Sequence, residues 1–312
     1  MLWEMPLAQP SGRGGLKNTQ LAELFEGFWS QRDLWIGVIT LTVLLVAVNA
    51  GAIVDLNRRW NSDPNYGHGI LIPIIALYFV YINHKRLKGL VPKPSYLGLA
   101  VVLFAMLLKL ISLPTASVVL GGIAMVVMAN GLVLWVGGLR VYKVLWIPAL
   151  YLFFMLPLPA EVHTKIAFPL QLFATRTSAA VLEYIFRVGL KRDGNVIRLA
   201  SKDLNVVEAC SGMRSILGLL ALGVAFAYLA KRNIWERALL VVSALPIAIT
   251  ANVIRIVLTG LLHEWGHPDL AEGVFHTLTG WFVFMFALAM FLCVNWVLER
   301  LWVEEPHESS TT

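Results

Sequence analysis

Apolar runs of roughly 17 to 25 residues recur along almost the whole chain, the length a helix needs to cross a hydrocarbon layer about 30 Å thick. Inside a bilayer every backbone N–H and C=O must be paired within the protein, so such runs fold as helices. The composition agrees: 58% of residues are hydrophobic and 14% are charged, against about 25% charged in a typical soluble domain. An all-α integral membrane protein is expected. The net charge of +6 then reads as topology determinants and head-group contacts, because no basic stripe with interleaved aromatics suggests nucleic-acid binding. Residues 1–33 are polar and lack an apolar h-region, so no cleavable signal peptide is expected. The two cysteines, Cys210 and Cys293, do not make a disulfide framework.

About eight spans are predicted, at 34–54, 69–83, 96–112, 115–137, 142–159, 211–230, 237–260 and 276–298. Pro92 with Pro94, Pro114, and Gly137 with Gly138 mark turns between them. Orientation follows from short loops rich in Lys and Arg. Residues 84–88 (HKRLK), Arg140 with Lys143, and Lys231 and Arg232 with Arg237 fall on one side if the spans alternate. The N-terminal arm, with Arg13, Lys17 and Arg32, joins them on what is expected to be the cytoplasmic side. The domain plan is an N-terminal arm at 1–33, a membrane domain at 34–300 and a cytoplasmic tail at 301–312.

Segment 161–190 is apolar enough to suggest a ninth span, but Arg176, Glu183 and Arg187 are spaced to share one helical face. Burying three charges at mid-bilayer costs about 2.5–3.5 kcal/mol each on insertion scales. An amphipathic helix in the outer interface avoids that cost. It leaves seven basic residues between Lys165 and Lys202 outside, against the charge rule. Residues 194–208 (GNVIRLASKDLNVVE) alternate in part, and a short extracytoplasmic hairpin is expected there.

With this topology three reactive residues reach the outer face: Cys210 just before span six, Arg255 in the last turns of span seven, and His276 at the start of span eight. A thiol, an imidazole and a guanidinium suffice for acyl transfer, as nucleophile, proton carrier and oxyanion partner. A helix N-terminus favours the thiolate; Arg214, one turn later, adds to this and Glu208 opposes it. Arg255 within a span is expected to face a cavity or a partner, with Asn252 on the same helical face to orient it. Each residue also has a plainer reading: a small buried thiol for Cys210, a snorkelling side chain for Arg255 and a helix-start histidine for His276.

Glu208-Ala209-Cys210-Ser211-Gly212-Met213-Arg214, Asn252-Val253-Ile254-Arg255, and His276 with Gly280 resemble motifs of the exosortase/archaeosortase family. Asp63-Pro64-Asn65-Tyr66-Gly67-His68-Gly69 is similar to that family's first outer loop. The resemblance implies a membrane cysteine transpeptidase of the bacterial inner membrane, with its active site facing the periplasm and no cofactor or metal. It implies Cys210 as nucleophile, His276 as acid/base and Arg255 as transition-state stabiliser. It also implies membrane-anchored protein substrates carrying a C-terminal sorting motif (Pro-Glu-Pro-like), a helix and a basic tail, in a pathway that accompanies exopolysaccharide production. Some members carry a soluble C-terminal domain, so any such accessory is expected here as a separate protein. Tyr66 and His68 belong to the outer side, either lining a substrate entrance or forming a turn built by Gly67 and Gly69.

Two rivals stand beside this reading. His263-Glu264-Trp265-Gly266-His267 fits H-E-x-x-H, a zinc-protease pattern that requires a continuous helix through both histidines; Asp269 or Glu272 would be further ligands. Gly266 within it and Pro268 after it oppose that helix. A transporter or polysaccharide-export component is the non-enzymatic alternative; such proteins tend to show inverted repeats and mid-depth polar residues, and no repeat is present.

Overall fold

The computed structural model describes residues 31–88, 90–206, 213–230, 233–267 and 273–301. For 31–35, 273–281, 299 and 301 it describes the backbone only. The chain divides after Ala50 into two units, taken separately. In the first, α1 (Gln31–Val48) is an apolar helix that ends at Asn49, whose amide side chain donates to the Leu45 carbonyl at 2.9 Å.

The second unit holds α2 (Ala50–Ser62), α3 (Leu71–Ile82), the short α4 (His84–Lys88), α5 (Tyr96–Thr115) and α6 (Val118–Tyr151). These are followed by α7 (Ala160–Ala180), strands β1 (Leu190–Asp193), β2 (Val196–Leu199) and β3 (Asp203–Asn205), then α8 (Met213–Leu229), α9 (Ile234–Glu264) and α10 (Gly273–Leu301). The chain is thus mostly helical and a membrane protein. Among the described residues three helices are long and apolar enough to span: α5, the 118–155 helix and α9. A fourth results if Ile36–Val48 with Ala50–Ser62 forms one broken span, and α3, α8 and Phe282–Leu298 are apolar but shorter.

The expected turn at Gly137 and Gly138 is present inside α6. Gly138 has φ 72° and ψ −178°, a backbone state open essentially to glycine alone, and the Lys93 carbonyl occupies the place of a Cβ. The helix therefore breaks into two arms there. Asn130 ties the arms together: its amide donates to Val126 and Ala149 carbonyls at 2.9 and 3.1 Å and its oxygen accepts from the Tyr142 hydroxyl at 2.9 Å.

Segment 161–190 differs from its expectation at the C-terminal end. The helix runs through Ala180 and a π-turn at Val181–Ile185, then stops, because the Val188 amide reaches back to the Leu182 carbonyl at 3.0 Å. Arg187, at φ 55°, lies past the helix and does not share its face. The sheet also begins earlier than expected. Strands β1, β2 and β3 form an antiparallel meander, with Asp193 opposite Val196 across a two-residue turn at Gly194 and Asn195. Gly194 has φ 57°, the conformation such hairpin turns demand, so it turns the first hairpin and does not open it.

Three apolar clusters hold the unit together. Leu56, Phe79, Tyr151, Val126 and Ala221 join α2, α3, α6 and α8, with the Tyr151 hydroxyl donating to the Ala221 carbonyl at 3.1 Å. Leu219, Leu240, Ala248, Ala287 and Phe291 join α8, α9 and α10. Leu182, Ile197, Leu204 and Ile256 fix the sheet onto α9.

Candidate functional site

One end of the second unit gathers the loops expected on the inner side. The Asn83 amide donates to the Tyr228 hydroxyl, and the Ser95 amide to the Trp135 carbonyl at 3.0 Å. Asn252 and Arg255 lie toward the other end of α9. Helix α9 runs from Asn233, its N-cap, toward Glu264, so Arg255 lies beyond mid-helix toward that end. Asn252 is buried at 7% exposure and Arg255 is half-buried, both on one face of α9. Arg214, in the first turn of α8 and exposed, lies within electrostatic reach of both Arg255 and Asp63. Arg214 thus feels the charges of Arg255 and Asp63 from two elements distant in sequence, and a local excess of positive charge suits a developing oxyanion or a carboxylate.

Asp63 is positioned by the loop it begins. Its Oδ1 accepts from the Asn65 backbone and side-chain amides, each at 3.0 Å, an Asx-type turn, and Arg59 pairs with its other oxygen at 3.6 Å. Tyr66 is 4% exposed, and its hydroxyl oxygen accepts the Leu158 amide at 3.3 Å. Burial raises the phenol's pKa. His68 is half-buried in the 3-10 turn Gly67–Ile70. Burial pushes its imidazole below the ordinary value, with the Phe154 backbone opposing in part. Gly69 passes so close to the Trp60 indole that a Cβ has no room, and that indole donates to the Met155 carbonyl at 2.9 Å. The loop is thus a built turn, with Tyr66 buried and His68 half-buried in it.

Cys210 and Glu208 lie outside the described residues. His276 falls in α10, where its backbone is described and its side chain is not. Sequence reading missed His163, in the first turn of α7. Its ring faces Tyr66 at 6.5 Å between centroids, and its Nε2 is shielded from solvent without a hydrogen-bond partner. No spacing in the sequence signals this; only the fold brings residue 163 to the 63–69 loop.

The H-E-x-x-H helix is interrupted. Helix α9 ends at Glu264 in a Schellman motif, with Gly266 at φ 78° and amides of Gly266 and His267 donating to carbonyls of His263 and Leu262 at 3.3 and 2.9 Å. His263 is buried at 5% while His267 is exposed, so the two rings do not follow one another along one helix face. Among the described residues no group of three or more His, Cys, Asp or Glu side chains is placed to hold a metal ion.

Comparison with protein families gives a match to the transmembrane exosortase family (Exosortase_EpsH) over residues 60–293, from Trp60 behind the 63–69 loop to late in α10. The chain belongs to that family. A comparison with curated proteins and one with solved structures each found no match. The matched span runs across the positions of Cys210, Arg255 and His276 and the loop carrying Asp63, Tyr66 and His68.

Proposed function

We propose that this exosortase is a membrane cysteine transpeptidase that cleaves C-terminal sorting signals, of the Pro-Glu-Pro type, from exported membrane-anchored proteins. In this reading about eight spans cross a bacterial inner membrane, with the site facing the periplasm. The observation that supports it is the exosortase family match over residues 60–293, with Arg214 within electrostatic reach of Arg255 and Asp63.

Cys210 is the nucleophile, His276 the acid/base and Arg255 the stabiliser of the oxyanion; Arg214, Asn252 and Glu208 support them, and Tyr66 and His68 line the approach. The Cys210 thiolate adds to the carbonyl carbon of the scissile bond. As the tetrahedral intermediate collapses, the C–N bond breaks and the His276 imidazolium gives its proton to the departing amine. That leaves a thioester on Cys210 and frees the helix with its basic tail. An amine or water then adds to the thioester, His276 takes its proton, and the thiolate departs.

Mass spectrometry of the protein isolated with a co-expressed tailed substrate tests this. The expected result is a substrate-derived acyl group on the Cys210 peptide, released by hydroxylamine; an acyl group on another side chain, or none in a variant slowed at the second step, contradicts it.

A further inference from the structure

The seven basic residues between Lys165 and Lys202 are not needed by the chemistry above, and on a face away from the cytoplasm they run against the usual charge distribution. The fold concentrates three of them. After the π-turn, residues 184–186 present Tyr184, Ile185 and Phe186 at 77%, 69% and 45% exposure. Arg187 follows at φ 55°, and the Val188-to-Leu182 hydrogen bond folds the chain back, so that β1 and β2 pack on α7. Lys191 and Arg192, both exposed and on alternate faces of β1, follow within six residues of the apolar turn. Of the nearby carboxylates, Asp193 is already paired with Arg198 at 3.1 Å, and Glu183 is the other. An exposed aromatic and aliphatic tip bordered by excess positive charge is the chemistry of a lipid–water boundary. The rings and the isoleucine enter the acyl edge, and the cations meet phosphates.

We propose that residues 184–186, with Arg187, Lys191 and Arg192, form a binding surface for anionic phospholipid head groups. A soluble acidic segment would use the cations and leave Ile185 and Phe186 exposed to water. The lipid accounts for both halves of the surface, and it neutralises the basic residues that the charge rule disfavours there. The proposal stands independently of the cysteine chemistry.

The test is native mass spectrometry of the full-length protein in detergent, titrated with phosphatidylglycerol, phosphatidylcholine or soluble glycerol phosphate. Wild type is expected to prefer phosphatidylglycerol. Arg187→Gln/Lys191→Gln/Arg192→Gln is expected to lose that preference, by roughly fivefold per charge removed. The charge-keeping Arg187→Lys/Lys191→Arg/Arg192→Lys variant is expected to hold it. So is Lys85→Gln/Arg86→Gln/Lys88→Gln, which removes three charges at the other end. Equal loss in both neutralised variants, or no loss in the first, overturns the proposal. Glycerol phosphate binding as tightly as the lipid also overturns it, by showing a free-anion site.

Discussion

Arginine 255 shows what a single residue in a spanning helix has to satisfy. An ionisable group at that depth faces a cavity or a partner, and here its charge reaches Arg214, which also feels Asp63. Its planar fork is suited to an oxyanion in a way a lysine point charge is not. Arg255→Lys is therefore expected to lower kcat by roughly a hundredfold with little change in KM, measured on a purified tailed substrate; a wild-type rate would remove the guanidinium from the mechanism. His68 carries a different prediction. Its imidazole is held below the unperturbed value of 6.5 by burial, so in mild acid the unfolded chain binds a proton that the folded chain resists. Stability should be full above that value and fall as pH drops through it, with His68→Gln flattening the dependence in thermal unfolding; an unchanged slope contradicts the assignment. Motifs in the sequence named Arg255, Arg214 and His68 as candidates, and their roles stand as proposals. His163 was not, because its environment is made by a contact almost a hundred positions away.

At the scale of elements, hydrophobic length served well and local stops served less well. The expected spans at 69–83, 96–112 and 237–260 correspond to helices Leu71–Ile82, Tyr96–Thr115 and Ile234–Glu264; apolar length sets these cores. The ends depend on hydrogen bonds that periodicity does not encode, such as the Leu182 carbonyl that stops the helix before Arg187, or the Schellman turn at Gly266. The three-stranded sheet was read as a hairpin starting at Gly194, since a glycine marks a turn without saying which strands it joins. Gly138 is the element whose role is most sharply testable. Alanine there must hold φ 72° against the Lys93 carbonyl, so Gly138→Ala is expected to cost about 1–3 kcal/mol in detergent unfolding. Gly51→Ala, with open space around it, should cost little. Equal stability of the two variants would mean the break at Gly138 is not required.

For the whole molecule, alternation of spans did what no motif does alone. It grouped the loops at 84–88 and 231–237 on one side, and the Asn83–Tyr228 hydrogen bond brings the adjoining helix ends together. It put Arg255 and Arg214 at the other end, and Arg214 is within electrostatic reach of Arg255 and of Asp63 in the 63–69 loop. The family match over 60–293 makes the chain an exosortase, and the central proposal is that its chemistry is thiol-based. The most direct measurement is processing of a co-expressed substrate with a Pro-Glu-Pro-type tail by wild type, by Cys210→Ala and by His263→Ala/His267→Ala. Cleavage is expected to vanish in the cysteine variant and persist in the double-histidine variant. Cleavage that survives without Cys210 but is lost without the two histidines, and is sensitive to a chelator, would contradict the account and point to a metalloprotease.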